Sequence, residues 1–182
     1  MPLSEDQHAA VDRFLGEYAP EEATLVKALL TTGELSNGDP TATSPKGARG
    51  LMQLTPIALK DIGRDPATFD YDSPAESLKA GVDYVRKLRD GYGLTNPLQI
   101  AAAYNAGPGT VKEAIAKGGM DFLPEETRNY VTRLAPILAP RDTDHPTDRE
   151  LRAGRGPVDI PEPSSLVLHG IAEQTGQAPW YQ

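Results

Sequence analysis

The carboxyl group of Glu34 is the first candidate for chemistry, because it is predicted near the end of a helix, just before a loop. Leu30 and Val26 precede it at helical spacing and share its partly apolar face. Partial burial raises the pKa of a glutamate above about 4.3, as a general acid working at neutral pH requires. The simpler interpretation of this feature alone is a helix-end glutamate that points into water.

Two further segments combine small residues with polar side chains. Segment 44–56 reads Ser-Pro-Lys-Gly-Ala-Arg-Gly-Leu-Met-Gln-Leu-Thr-Pro, and its glycines imply a close backbone approach, either to a ligand or to another helix. Gln53 stands in an apolar run, so we expect a buried partner or a ligand for it. Segment 101–109 reads Ala-Ala-Ala-Tyr-Asn-Ala-Gly-Pro-Gly. Its Tyr104 and Asn105 either offer hydrogen bonds to a sugar or belong to a capped core helix.

Together these segments resemble the lytic transglycosylase family that has the soluble-transglycosylase, goose-lysozyme-like catalytic domain. The matching parts are Glu34, segment 44–54 and segment 103–111, followed by segment 124–131. This last segment reads Pro-Glu-Glu-Thr-Arg-Asn-Tyr-Val and is similar to the family's Glu-Thr-x-x-Tyr-Val block. The four matches occur in family order, and the resemblance covers about residues 22–138.

The resemblance implies a lysozyme-like helical domain with a cleft for a glycan strand. Family members cleave the β-1,4 bond between N-acetylmuramic acid and N-acetylglucosamine in peptidoglycan. One glutamate, here Glu34, protonates the leaving oxygen, while the N-acetyl group of the substrate stabilises the cationic centre. The same carboxylate then deprotonates the muramyl 6-hydroxyl, which closes a 1,6-anhydro ring. This scheme departs from the usual pair of carboxylates in glycosidases.

The resemblance also implies roles for individual residues. Ser44 and Gln53 would bind the sugar or its acetamido group near the point of cleavage. Tyr104 would lie close to Glu34 and help to position it. Asn105 would contact the glycan or fix the loop.

The fourth segment supplies Glu126, which matches an acid lining the cleft, and Tyr130, which would pack nearby. A goose-type lysozyme on the same fold is a rival interpretation, and it needs a second carboxylate to activate water. Asp39 and Glu126 are the candidates for that carboxylate. A virion or cell-wall protein that only binds glycan is a third interpretation, but a binder has no use for the acid Glu34.

The glutamate motif departs from the family pattern. Members usually have a serine directly after the glutamate and an aromatic residue two positions later, whereas here Leu35 and Ser36 follow Glu34 and the aromatic is missing. The interval from Glu34 to Ser44 is one residue longer than usual. We expect the loop to absorb this residue and Ser36 to replace the missing serine.

The elements that must position these residues are predicted to be helices, because no alternating strand pattern of useful length occurs. The expected helices begin at Ser4, Pro20, Pro56, Pro74, Pro97, Thr110 and Pro124; the second reaches about Leu35 and the last is broken at Pro136. The predicted fold class is therefore mainly α. We divide the chain into an N-terminal helix (1–19), a catalytic domain (20–139) and an extended C-terminal tail (140–182).

The tail is proline-rich, with six prolines among its 43 residues, and it lacks apolar periodicity. We expect it to be ordered only where it packs on the body or on a partner, which could be a virion or another assembly.

Composition excludes several functional classes. The chain has 182 residues and a net charge of −8, which argues against nucleic acid as the main partner and against anionic membranes. It has no cysteine and only three scattered histidines, so neither a metal nor a cofactor is expected. The acidic start resembles no Sec signal, and no apolar run could span a membrane. We therefore expect a bacteriophage protein, either in the virion or in the host cytoplasm before release, that acts on cell-wall peptidoglycan. A bacterial enzyme exported by a dedicated secretion machine is the alternative.

The assignment of Glu34 predicts that Glu34→Gln folds normally but loses activity. Acid–base catalysis contributes about 10²–10⁴-fold, and here one carboxyl performs both proton transfers. Release of soluble muropeptides from purified peptidoglycan measures the loss, with circular dichroism as the control for folding. A folded Glu34→Gln variant with a rate near that of the parent would show that another residue is the acid.

Overall fold

The computed structural model describes residues 3–31 and 35–139, and most of these residues are helical. The α-helices of this part are α1 (Glu5–Tyr18), α2 (Ala23–Thr31), α3 (Pro56–Asp61), α4 (Pro74–Arg86), α5 (Pro97–Ala106), α6 (Pro108–Ala116) and α7 (Glu125–Leu138). A π-helix (Lys87–Gly91) extends α4, and short 3-10 turns cover Leu35–Gly38 and Met120–Phe122. The predicted mainly α class is confirmed. None of the described helices is both long enough and apolar enough to cross a bilayer.

Local capping chemistry explains where several helices begin. Ser4 and Gln7 form a reciprocal capping box at α1. At α3, α4 and α5 a polar side chain caps the free backbone N–H groups and a proline occupies the first turn. These caps are Thr55 on Ala58 N, Ser73 on Glu76 N and Asn96 on Leu98 N. The predicted starts of these four helices are confirmed.

Three predicted helix bounds are wrong. α2 begins at Ala23, since Pro20 lies in a turn, and α6 begins at Pro108 rather than Thr110. α7 continues through Pro136 to Leu138. Proline removes one hydrogen bond near the helix end, but the buried Leu138 beyond it holds the last turn against the core. The predicted end of the second helix and the predicted tail lie outside the described residues, apart from Leu35 in its 3-10 turn.

Helix α5 lies at the centre of the packing, because it contacts α2, α4, α6 and α7. Its Ala101, Ala102 and Ala103 are completely buried. Side chains this small let neighbouring helices approach closely, so α5 carries Tyr104 and Asn105 out of a tightly packed core.

A buried ion pair joins the start of α2 to the end of α4. Glu22 is only 3% exposed, and its two carboxylate oxygens accept hydrogen bonds from Arg86 Nη2 at 3.0 Å and Arg89 Nη1 at 2.8 Å. Burial by itself raises the pKa of Glu22, but the hydrogen bonds and charges of the two arginines outweigh it and hold the pKa below 4.5. The carboxylate is therefore charged in the folded protein at neutral pH.

We predict that Glu22→Gln lowers the free energy of unfolding at pH 7 by about 2 kcal/mol, since charged hydrogen bonds contribute about 1.5–3 kcal/mol. The pKa of Glu22 is lower in the folded protein than its ordinary value of 4.5. The stabilisation is therefore complete above pH 4.5 and disappears as the pH falls through the pKa of the folded state. Urea denaturation across this pH range measures it. The matched control is Glu113→Gln, whose pair with Lys117 is exposed and screened by solvent, so its loss of stability should be much smaller. Equal losses in the two variants at pH 7 would contradict the prediction.

Candidate active site

The centre of the candidate site is a turn at residues 50–53, which we call the carbonyl turn. Its first three carbonyl oxygens each accept a hydrogen bond from a different side chain. The bonds run from Gln53 Nε2 to Gly50 O, from Ser36 Oγ to Leu51 O and from Tyr104 Oη to Met52 O, each at 2.9 Å. The donors come from the turn itself, from the segment that follows Glu34 and from α5. The turn thus joins three separate stretches of sequence.

Gln53 occupies an unusual backbone conformation for this role. Its φ is +49°, in the left-handed region that few non-glycine residues adopt. The second N–H of its amide donates to Ala42 O at 3.0 Å. The expected partner of Gln53 is therefore the backbone, while its Oε1 accepts from no donor among the described residues.

Gly50 shows why the turn needs glycine. Its φ is +77°, and a Cβ atom at this position would lie 2.4 Å from Tyr71 O and 3.2 Å from Ser77 Oγ. Ser77 Oγ in turn accepts from Met52 N at 3.0 Å. Gly50 thus approaches the backbone closely, as predicted, but at Tyr71 in a turn rather than at another helix.

Ser44 begins a tight loop that is held by its own hydrogen bonds. Its N–H donates to Ala48 O at 2.8 Å, and its Oγ accepts from Ala48 N at 3.0 Å. The Ser44 hydroxyl proton has no acceptor in the described ranges. Lys46, at the tip of this loop, contacts Glu126 Oε2 at 3.3 Å, and both side chains are largely exposed. The loop therefore meets the first turn of α7.

Asn105 also contacts the first turn of α7, which carries Glu126. Asn105 Oδ1 accepts a hydrogen bond from Thr127 Oγ1 at 2.9 Å. Thr127 is 2% exposed, whereas Asn105 is exposed and its amide nitrogen has no acceptor among the described side chains and backbone. The structure thus brings the Ser44 loop, the end of α5 and the first turn of α7 together.

Three tyrosines line the interior side of this region. The rings of Tyr84 and Tyr104 pack edge to face, 5.4 Å apart. Burial raises the pKa of Tyr104 well above 10, with smaller contributions from Tyr130 and Tyr84, and burial raises the pKa of Tyr84 to about 12. Tyr130 is 4% exposed, burial also raises its pKa, and its hydroxyl has no hydrogen-bond partner in the described part of the chain. All three hydroxyls therefore stay protonated at neutral pH.

The two candidates for a second carboxylate are differently placed. Asp39 Oδ1 accepts from both the backbone N and the Oγ1 of Thr41, at 2.8 Å each. These hydrogen bonds hold the pKa of Asp39 below 3.8. Glu126 is exposed and pairs with Lys46. Glu34 lies outside the described residues, so its predicted contact with Tyr104 stays a prediction.

Sequence reasoning missed the partners of the predicted residues. Lys46 and Thr127 lie in recognised segments and Ser77 lies in a predicted helix, yet their contacts cross 22 to 80 residues of sequence. The signal for Ser77 was a small polar residue on the apolar face of α4, and the signal for Thr127 was its place in the Glu-Thr block. Both signals predict a buried hydroxyl, but neither predicts which residue it bonds to.

Comparison with known proteins places these residues in context. The family model of the transglycosylase SLT domain matches residues 21–121, which include α2 to α6. This range contains the carbonyl turn, the Ser44 loop and Asn105, whereas α1 and α7 lie outside it.

The chain is also similar to curated bacterial proteins. It is 34% identical over 145 residues to a membrane-bound lytic murein transglycosylase C of Haemophilus influenzae, covering 72% of this chain and 39% of the relative. It is 29% identical over 147 residues to the protein of that name from Histophilus somni, covering 74% and 39%. A soluble lytic murein transglycosylase of Salmonella typhimurium is 29% identical over 119 residues, covering 57% and 18%. The chain thus spans well under half the length of these relatives.

Two of the left-handed glycines of the site, Gly47 and Gly50, provide a matched pair of substitutions. Gly50→Ala adds a clash with the Tyr71 carbonyl to the backbone strain, and we predict a loss of at least about 3 kcal/mol in the free energy of unfolding. Gly47→Ala has the same strain, with φ of +78°, but nothing within 4 Å of the new Cβ, and should lose about 1 kcal/mol. Urea denaturation distinguishes them. Equal losses would mean that the approach to Tyr71 is not tight.

Proposed function

The chain belongs to the family of transglycosylase SLT domains, and we propose that it is a peptidoglycan lytic transglycosylase. Its substrate would be the β-1,4 bond between N-acetylmuramic acid and N-acetylglucosamine, and its product a 1,6-anhydromuramic end. The observation that carries this proposal is the carbonyl turn. It joins Gln53, Tyr104 and the segment after Glu34, which come from three motifs of the family resemblance.

In the proposed reaction Glu34 donates its proton to the glycosidic oxygen as the bond to the leaving sugar breaks. The N-acetyl group of the muramic acid stabilises the cationic centre. Glu34, now ionised, takes the proton of the muramyl 6-hydroxyl, whose oxygen forms the new bond to the anomeric carbon. Attack from within the same sugar gains from proximity, which contributes about 7–11 kcal/mol in well-oriented cases.

The unused hydrogen-bonding groups of the described residues suit an acetamido sugar. An acetamido group offers one carbonyl acceptor and one N–H donor. The Ser44 hydroxyl proton and the Gln53 Oε1 atom are a matching donor and acceptor without partners among the described residues. The exposed amide nitrogen of Asn105 adds a donor for a sugar hydroxyl.

Tyr104 and Tyr130 have different proposed tasks. The Tyr104 hydroxyl is occupied by Met52 O, so this residue supports the turn and contacts no substrate through its proton. The buried Tyr130 hydroxyl stays protonated, and we assign it as a donor to an oxygen of the catalytic carboxyl. A buried donor of this kind gains most from an acceptor that becomes negative during the reaction.

The hydrolytic alternative is less well supported. A general base for water works best with a pKa near the operating pH, whereas the hydrogen bonds of Asp39 shift its pKa in the opposite direction. Glu126 is exposed and paired with Lys46 rather than held in a desolvated position. Neither carboxylate therefore has the environment of a water-activating base.

The biological setting is a separate proposal. The sequence suggests a bacteriophage protein, in the virion or as an endolysin, with residues 140–182 as a site of attachment. The curated relatives are bacterial enzymes by name and do not bear on this point. Mass spectrometry of purified virions tests it, since a virion enzyme must be found there and an endolysin must not.

Analysis of the products tests the proposed reaction. Digests of purified peptidoglycan should contain muropeptides with 1,6-anhydro ends, each lighter by one water than the corresponding hydrolysis product. Borohydride reduces only the free muramic ends that a hydrolase would create, and mass spectrometry detects the difference. Glu34→Gln serves as the blank. A digest rich in new reducible muramic ends and without anhydro ends would show a lysozyme, with Glu126 as the next residue to substitute.

A further inference from the structure

Ser36 combines a strained backbone with a long-range hydrogen bond. Its φ is +53°, and within residues 3–31 and 35–139 only one other non-glycine residue, Gln53, has a positive φ. Such conformations cost free energy and persist where the surrounding structure holds them in place. The side chains of both residues donate to carbonyl oxygens of the same turn.

The acceptor of the Ser36 hydrogen bond is a fixed point. Leu51 is 3% exposed, and the next residue is held on both sides, with Met52 N bonded to Ser77 Oγ and Met52 O bonded to Tyr104 Oη. The N–H of Gly50 donates to Ala42 O at 3.0 Å. Because the turn is fixed from so many directions, the 2.9 Å bond from Ser36 Oγ fixes the 3-10 turn Leu35–Gly38 as well.

Ser36 follows Glu34 by two residues, and two residues of chain span at most about 7 Å. A fixed Ser36 therefore limits where the backbone that carries the Glu34 carboxyl can lie. Catalysis by an acid depends on this placement, because a shift of about 1 Å can cost 10²-fold in rate.

We propose that Ser36 is a positioning residue for Glu34, and that its hydroxyl acts by fastening the segment after the catalytic glutamate to the Leu51 carbonyl. The proposal rests on the proposed function of Glu34 as the acid. Ser36 itself touches no substrate. Its loss therefore lowers kcat by about 10–100-fold and leaves KM within about twofold of the parent.

Three variants separate the hydroxyl from the backbone. Ser36→Ala removes the hydrogen bond and keeps the left-handed strain. Ser36→Gly removes the hydrogen bond and relieves the strain, so it should unfold at a higher temperature than Ser36→Ala. Thr31→Ala is the matched control, because it also deletes a hydroxyl that donates to a backbone carbonyl, Lys27 O at 2.8 Å, but the acceptor lies in its own helix. Thr31 precedes Glu34 by three residues.

The measurement is kcat and KM for release of anhydromuropeptides at a temperature well below the unfolding of every variant. Both Ser36 variants should lose kcat alike, whatever their thermal stability, and Thr31→Ala should keep the parental kcat. A Ser36→Gly variant with parental kcat would overturn the proposal, because strain rather than the hydroxyl would then matter. A rise in KM at unchanged kcat would also overturn it, in favour of a substrate contact. If the parent itself releases no anhydromuropeptides, the proposed function fails instead.

Discussion

A buried carbonyl oxygen must find a hydrogen-bond donor, and the carbonyl turn presents three of them in succession outside any regular helix or sheet. In this protein all three donors are side chains; Gln53 belongs to the turn itself, whereas Ser36 and Tyr104 come from other parts of the sequence. The hydrogen bonds to the carbonyl oxygens of one short turn therefore hold together the segment after Glu34, the turn itself and the end of α5. The arrangement of the candidate site follows from this local requirement.

The remaining structure serves to keep the donors in reach. Completely buried alanines let α5 pack into the centre of the helices, so Tyr104 is carried by a helix that the core holds in place. The bond between Asn105 and Thr127 then sets α7 against the end of α5. At the N-terminal end of α2, the salt bridges of Glu22 with Arg86 and Arg89 connect the start of that helix to the end of α4. Apolar packing thus places the helices against one another, and hydrogen bonds and salt bridges hold their ends in position.

The sequence predicted what local chemistry decides. Caps such as Ser73 and Asn96 lie within three residues of their partners, so the helix starts could be read directly. The sequence also predicted that Gln53 has a buried partner or a ligand, but not that the partners are the backbone carbonyls of Gly50 and Ala42. Contacts that cross many residues, such as Ser36 with Leu51 and Asn105 with Thr127, could not be predicted, because the donor type does not specify a distant backbone acceptor. The continuation of α7 past Pro136 was missed for a related reason, since tertiary burial outweighs the local preference of proline.

All three acceptors in the carbonyl turn are main-chain atoms, which has a consequence for how this fold can change over evolutionary time. Every residue type supplies a carbonyl, so drift at positions 51 and 52 can alter core volume without uncoupling the segments. Besides Gly50, the donors carry this constraint, and each is a single side chain. Loop lengths between them can also vary, provided that a hydroxyl or amide returns to the same oxygen. A site organised in this way tolerates substitution at positions 51 and 52 but not the loss of a donor side chain.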